Sequence, residues 1–389
     1  MSEIFVAGRI EFLGKHTDYC GGRSLVCAIE KGFYVEFQQI KDKQIKLINE
    51  DTKEVVSIEL TENNLSQTNH WTNYPQTVVN RITQNFKSRE LNGVEIKFRS
   101  DLPQAAGVSS SSALIVAIFL AISKANNLSE FDEYKANITN NLGLSEYLGC
   151  IENGQNFKDL KGEKGVGTFG GSQDHTAILC GKKHHLSRFS FAPVLHEGDF
   201  LIPEDVVFVI ASSGVTAEKT GLAKEKYNRL SLTVREIVKG CDKNLSLVQV
   251  VEKYGLEEVK NSLEQKDLIN RLAQFYLESF EIIPQVSGYL IQNKIEKIGE
   301  LIDLSHQNAD KFLGNQTPET NFLQKKAREI GALASSAFGA GFGGSVYALV
   351  KKNEAEIFLK EWKANYLKKF PQHDQKSEFF ITQAGESKF

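Results

Sequence analysis

Mixed helix and strand in two domains is the fold class that this sequence predicts, and three observations predict it. At 389 residues the chain is long enough for two or three cores at about 150 residues each. Stretches rich in β-branched and aromatic residues alternate with stretches of helical spacing, without tandem repeats. A polar, proline-containing segment at 193–203 precedes an apolar run and marks a boundary. The expected domains are residues 1–195 and 196–389.

Taken in order, 32–40 and 45–49 read as strands joined by the polar turn Lys41-Asp42-Lys43, with 55–60 as a third. Residues 71–86 carry apolar side chains at helical spacing, 93–99 alternate like a half-buried strand, and 113–124 form an apolar helix. Beyond the boundary, 206–212 reads as a strand and 217–238, 246–254, 267–283 and 295–311 as helices. A helix at 321–337, a strand at 345–350 and a helix at 354–367 complete the series.

Composition narrows the function. Hydrophobic residues at 41% and charged residues at 24% exclude collagen-like and low-complexity classes. A formal charge of -3 lacks the basic excess of a dedicated nucleic-acid binder, which leaves a small-molecule partner. The cysteines (Cys20, Cys27, Cys150, Cys180, Cys241) are odd in number and show no CxxC pairing, which predicts a reducing compartment without structural zinc. The first residues lack a basic region followed by an apolar one, and the longest apolar run, 113–122, is half of the roughly 20 residues a membrane span needs. A cytoplasmic protein is expected, without membrane or nucleic-acid partners, as a monomer or homodimer.

Three motifs carry chemistry. In Gly8-Arg9-Ile10-Glu11-Phe12-Leu13-Gly14-Lys15-His16-Thr17-Asp18-Tyr19-Cys20-Gly21-Gly22, polar and aromatic side chains crowd between glycines, as in a site for a polyhydroxylated ligand. A polar surface loop with Asx turns explains the same composition. It is not a P-loop, because five residues separate Gly8 from Gly14 and His16 follows the lysine. The second motif, Asp101-Leu102-Pro103-Gln104-Ala105-Ala106-Gly107-Val108-Ser109-Ser110-Ser111-Ser112-Ala113, joins a strand to an apolar helix. One serine suffices to cap a helix. Four after a glycine favour a phosphate held on backbone N–H groups at a helix N-terminus. The third, Gly339-Ala340-Gly341-Phe342-Gly343-Gly344-Ser345-Val346, follows a helix and opens a strand. That is the reverse of a dinucleotide fingerprint, and no HRD or DFG accompanies it. A packing turn or a backbone that closes on substrate remains.

Together and in this order, the three motifs resemble those of the GHMP kinase superfamily, and within it most of all the galactokinases. Residues 8–22 are similar to the GR..LIGEHTDYN-GG signature, 102–113 to the LP.G.GLSSSA loop, and 339–344 to the GAGFGG loop. His70-Trp71-Thr72-Asn73-Tyr74, Gly299-Glu300-Leu301-Ile302 with Ser305-His306, and Thr317-Pro318-Glu319 resemble further family segments. The resemblance implies an α+β fold, with a domain like the second domain of ribosomal protein S5 followed by a ferredoxin-like domain, and ATP and substrate between them.

It also implies roles for individual residues. In Gly171-Ser172-Gln173-Asp174-His175, Asp174 becomes the catalytic carboxylate, with Arg9 beside it at the transferring phosphoryl. Gly107, Val108, Ser109, Ser110, Ser111 and Ser112 become the ATP-phosphate loop, Ser111 and Glu152 the Mg2+ ligands, and Trp71 and Tyr74 the neighbours of adenine. His16, Asp18 and Tyr227 would meet the sugar, and Gly339, Gly341, Gly343 and Gly344 would form the closing loop. The reaction implied is transfer from ATP to the C1 hydroxyl of galactose or a close relative. One departure stands out: Lys15 occupies the position of a glutamate that, in the family, binds the C6 hydroxyl, and Cys20 replaces an asparagine. An ammonium offers only donors, so Lys15 as a sugar ligand predicts an acidic sugar such as galacturonate. A galactokinase-like sensor without turnover is the alternative from another class, opposed by the retained Asp174, Arg9 and Ser111.

Overall fold

The computed structural model describes residues 2–61, 70–103, 107–215 and 221–389, with side chains at 221–224 left aside. Gln104, Ala105 and Ala106 of the second motif, and the start of the helix expected at 217–238, lie outside the described residues.

The first sheet is built by β1 (Ser2–Leu13), β2 (Arg23–Ile40), β3 (Gln44–Asn49), β4 (Glu54–Glu59), β5 (Gly93–Ser100), β6 (His185–Ser190) and β7 (Leu195–Leu201). Four strands, β8 (Val206–Ser212), β9 (Ala334–Ala337), β10 (Ser345–Lys351) and β11 (Glu378–Thr382), form the second sheet, in the order β11-β8-β10-β9. The short β12 (Ala384–Gly385) then returns to pair with β2. The long β2 is the axis of the first sheet, pairing antiparallel with β1, β5, β6 and β12. Among the described residues only β3 and β5 run parallel, and the helix Asn73–Asn85 lies between β4 and β5 in the chain, as a parallel crossover requires. The architecture is α+β.

The sheets meet in one core because their strands alternate. Along β8, Phe208 and Ile210 join the large core shared with the first sheet, whereas Val207, Val209 and Ala211 join a second cluster beneath the helices Pro318–Glu329 and Ala355–Lys369. β10 divides likewise: Tyr347 and Leu349 face one core, and Val346, Ala348 and Val350 the other. The helix Ser110–Asn126, buried along its apolar length, fills the space against β1 and β2. A third cluster, with Val234, Ile237, Leu247, Val250, Leu272 and Phe275 of the intervening helices, closes over Cys20.

Expectation and structure differ in places. The expected division at 195/196 falls inside β7, after its first residue, and β7 pairs with β6, so the change between sheets lies at 202–205. β1 is a full strand, although its residues read as part of a polar loop. Residues 334–337, expected to end a helix, form β9 against β10.

Two contacts join the sheets at β1. The register slips between Glu11 and Leu13, leaving Phe12 as a bulge. Its ring stacks on Tyr347 with centroids 5.0 Å apart, and its carbonyl accepts from Tyr347 Oη at 2.8 Å. Phe12→Ala is therefore expected to destabilise the protein by about 3–5 kcal/mol. Tyr347→Phe, which leaves a buried carbonyl short of a donor, should lose about 1–3 kcal/mol. Urea unfolding followed by tryptophan fluorescence measures both, and unchanged midpoints would dismiss this junction.

Candidate active site

β1 places two charged side chains on one face, two residues apart: Arg9 and Glu11, both buried and both lining a cavity of about 680 Å3. That volume suits a small-molecule site. Arg9 Nε donates to Asp174 Oδ1 at 2.7 Å, and Arg9 Nη1 donates to the Gly107 carbonyl at 2.6 Å. The other oxygen of Asp174 accepts from Ser109 Oγ at 2.6 Å. Asp174 stands in the first turn of the helix Gln173–Cys180, so three separate segments converge on its carboxylate.

Ser109 explains the serine run. It is the N-cap of the helix Ser110–Asn126, yet its backbone is left-handed (φ 62°, ψ 40°) and its side chain makes no capping bond; the hydroxyl goes to Asp174 instead. A left-handed serine is uncommon and collects at functional sites. The first N–H groups of the helix are thereby left without a side-chain acceptor, the arrangement that receives an anion.

The same cavity is lined by His16, Asp18, Tyr19 and Tyr227. Gly170 and Gly171 make this possible: a Cβ on the first would lie 2.5 Å from Tyr227 Oη, and on the second 2.5 Å from Asp18 Oδ2. Asp18 Oδ2 accepts from the Gln173 amide at 3.2 Å; burial raises its pKa. Burial, and next Arg271, push His16 down to about 4, so its ring is neutral. Its Nε2 lies 3.0 Å from the Ala340 carbonyl and its Nδ1 2.8 Å from Tyr19 Oη. A carbonyl only accepts, which assigns the proton to Nε2. Burial also raises the Tyr227 pKa well above its usual value, so the phenol keeps its proton.

A third region of the cavity is lined by Phe33, Asn49, Trp71, Tyr74, Phe98 and Ser100. Trp71 is fixed by Nε1 donating to Glu54 at 2.7 Å and by an edge contact with Phe98. On the wall near Asp174, Glu152 accepts from Ser112 Oγ at 2.8 Å and lies 3.3 Å from His175 Nε2.

The structure gathers Arg9, His16, Asp18, Trp71, Tyr74, Gly107, Ser109, Ser110, Ser111, Ser112, Glu152, Asp174, Tyr227, Gly339 and Gly341 around this one cavity. Others are elsewhere. Val108 is buried in the core, its carbonyl accepting from the Arg9 amide. Gly343 and Gly344 pack on Val215 beyond β8. The serine bonded to Glu152 is Ser112, not Ser111. Lys15 requires the largest correction: it is 1% exposed, is not among the cavity residues, and its ammonium reaches Ser305 Oγ at 3.2 Å. Sequence reasoning missed Glu11 and Gln173. The alternation Arg9-Ile10-Glu11-Phe12 was the signal that would have placed Glu11 beside Arg9.

Three family models match the chain: the galactokinase galactose-binding signature at residues 3–39, the GHMP kinases N terminal domain at 73–147, and the GHMP kinases C terminal model at 287–368. A galactokinase of Fusobacterium nucleatum is 24% identical over 99% of this chain and 94% of its own. One from Pyrococcus furiosus is 26% identical over 99% of both. The crystal structure of Lactococcus lactis galactokinase complexed with galactose shares the fold, with a TM-score of 0.82 at 23% identity, covering 99% of this chain and 94% of that one. A mevalonate kinase superposes less closely, with a TM-score of 0.60. On a chain of this fold, the protein thus carries the GHMP kinase N-terminal and C-terminal domains together with the galactokinase galactose-binding signature.

Proposed function

We propose that this protein is an ATP-dependent kinase for the C1 hydroxyl of galactose. The observation that carries the reading is the Asp174 carboxylate held between Arg9 and Ser109, with an uncapped helix N-terminus and the half-buried polar groups of Asp18 and Tyr227 on the same cavity. The galactose-binding signature and the relatives named galactokinase support it. The acidic-sugar alternative rested on Lys15, whose ammonium is turned away from the cavity. No helix among the described residues is long and apolar enough to cross a membrane.

Phosphoryl transfer asks an enzyme chiefly to position groups and neutralise charge. Asp18 and Tyr227 bind sugar hydroxyls and so fix C1 before Asp174, which accepts the hydrogen bond of the C1 hydroxyl and orients its lone pair. Arg9, held at two points, presents positive charge where the transferring group passes. Amides of residues 107–112 bind phosphate oxygens, and the aromatic wall of Trp71 and Tyr74 receives the adenine. The loop containing Gly339 and Gly341 closes the cavity through the bond between His16 and Ala340. Glu152 with the hydroxyl of Ser112 or Ser111 offers hard oxygen donors of the kind Mg2+ accepts. When bound, the ion offsets phosphate charge.

ADP release measured over galactose, galacturonate, glucuronate, N-acetylgalactosamine, arabinose and mevalonate tests the reading, with the product identified by phosphorus NMR. Galactose should lead and yield the 1-phosphate; turnover of mevalonate alone would refute the proposal. Asp174→Asn is expected to fold and bind ATP while kcat falls about 100-fold or more. Near-normal turnover would remove Asp174 from its role. In magnesium titrations, Glu152→Gln and Ser112→Ala should each raise the concentration needed for half-maximal rate. Equal titrations for both variants and wild type would place the ion elsewhere. Lys15→Met should leave the KM for galactose within about threefold, since a side chain outside the cavity forfeits no bond to the sugar; a tenfold rise would return Lys15 to the site.

A further inference from the structure

Glu11 is a carboxylate for which the fold alone supplies half a reason. Its Oε2 accepts from Gln173 Nε2 at 2.6 Å, and that amide is itself oriented by Ser24 Oγ, which donates to Gln173 Oε1 at 2.8 Å. Its Oε1 is shielded from water and has no hydrogen-bond partner. Burial pushes the carboxyl up to about 7 against the opposing pull of Arg9 and Lys15. An unpaired buried acceptor is destabilising, and perturbed groups of this kind collect at functional sites. Here the group lines the cavity beside Asp18 and Asp174, and Gln173 touches both ends of the arrangement, its amide N–H on Asp18 and its side chain on Glu11.

We infer that Glu11 is a specificity-determining residue whose carboxylate accepts a hydrogen bond from a sugar hydroxyl, so that the site takes a neutral polyhydroxylated sugar and rejects one carrying a carboxylate at that point. The inference rests on the sugar-kinase reading above and adds to it the residue that sorts sugars. Ionised, as it is above about pH 7, Glu11 facing a uronate would set two carboxylates against each other, whereas a sugar hydroxyl donates to it. Lys15 cannot relieve the clash, because its ammonium is engaged with Ser305 outside the cavity.

The test combines Glu11→Gln with a panel of D-galactose and its 2-, 3-, 4- and 6-deoxy derivatives, measuring kcat/KM for each with wild type and variant. In wild type, the derivative lacking the partner hydroxyl should lose about tenfold or more, the usual worth of a hydrogen bond to a charged group. In Glu11→Gln that derivative should differ from galactose by less than about threefold, while the other derivatives keep their wild-type penalties, since only the shared partner couples. Wild type should turn over galacturonate far more slowly than galactose. Uniform loss across the whole panel in Glu11→Gln would mean that Glu11 merely positions Gln173, and no loss at all would mean that it touches nothing; either overturns the inference. Glu11→Asp, which keeps the charge and withdraws it by one methylene, provides the same reading should the amide variant fail to fold. If wild type phosphorylates no sugar of the panel, the kinase assignment fails instead, and calorimetric binding of galactose to wild type and Glu11→Gln still decides whether Glu11 contacts it.

Discussion

Strand alternation in β1 is the constraint on which the rest of this structure depends. One extended segment must deliver Arg9 and Glu11 to the cavity and Ile10 and Phe12 to the core, and the period of two makes both possible without a loop. The bulge at Phe12 then lets consecutive residues, Phe12 and Leu13, both enter the core. Because the ring of Phe12 is stacked on Tyr347 of the second sheet, the position of Arg9 is tied to the junction between the sheets. The geometry around Asp174 inherits the rigidity of that junction rather than depending on a flexible loop.

The two halves also meet through polar groups. Glu278 Oε1 accepts from the Gly14 amide at 2.8 Å and from Ser305 Oγ at 3.0 Å, and Ser305 in turn accepts from Lys15. Arg271 donates to the His16 carbonyl and to Cys20 Sγ, and His16 donates to Ala340. The segment 14–20 is thus fixed from outside by the helices of the second half while its inner face carries Asp18. A buried, hydrogen-bonded network of this kind resists rearrangement, since each member removed strands its partner.

Much of the site was legible because its chemistry lies in short runs whose spacing survives in the sequence: the serines 109–112, Asp174 after Gly171, Asp18 after His16. What escaped was direction. Position in a motif does not say which way a side chain leaves the backbone, and the turn at Gly14 (φ 110°) separates Lys15 from the residues on either side. Glu11 escaped because glycines at 8 and 14 suggested a loop where the chain is a strand. β9 escaped for a different reason: Ala334, Ser335, Ser336 and Ala337 have little intrinsic preference for strand, and pairing with β10 decides their conformation. The helices with long apolar faces were the most legible, since packing and periodicity there agree.

The return of β12 to β2 bears on how the molecule is made. Residues 384–385 pair with Ala28 and Ile29, Phe5 and Lys388 exchange two backbone hydrogen bonds at 2.8 Å each, and the Ala7 amide donates to Ser387. Contacts that span 380 positions, as from Ala7 to Ser387, close a very long loop, and such closure is slow. As the polypeptide leaves the ribosome, the sheet that carries Arg9 and Glu11 must wait with parts of β1 and β2 unpaired until residues 384–388 arrive. An early-made sheet with an exposed edge is prone to pair with the wrong partner, so synthesis of the second half sets the time for which the first half needs protection.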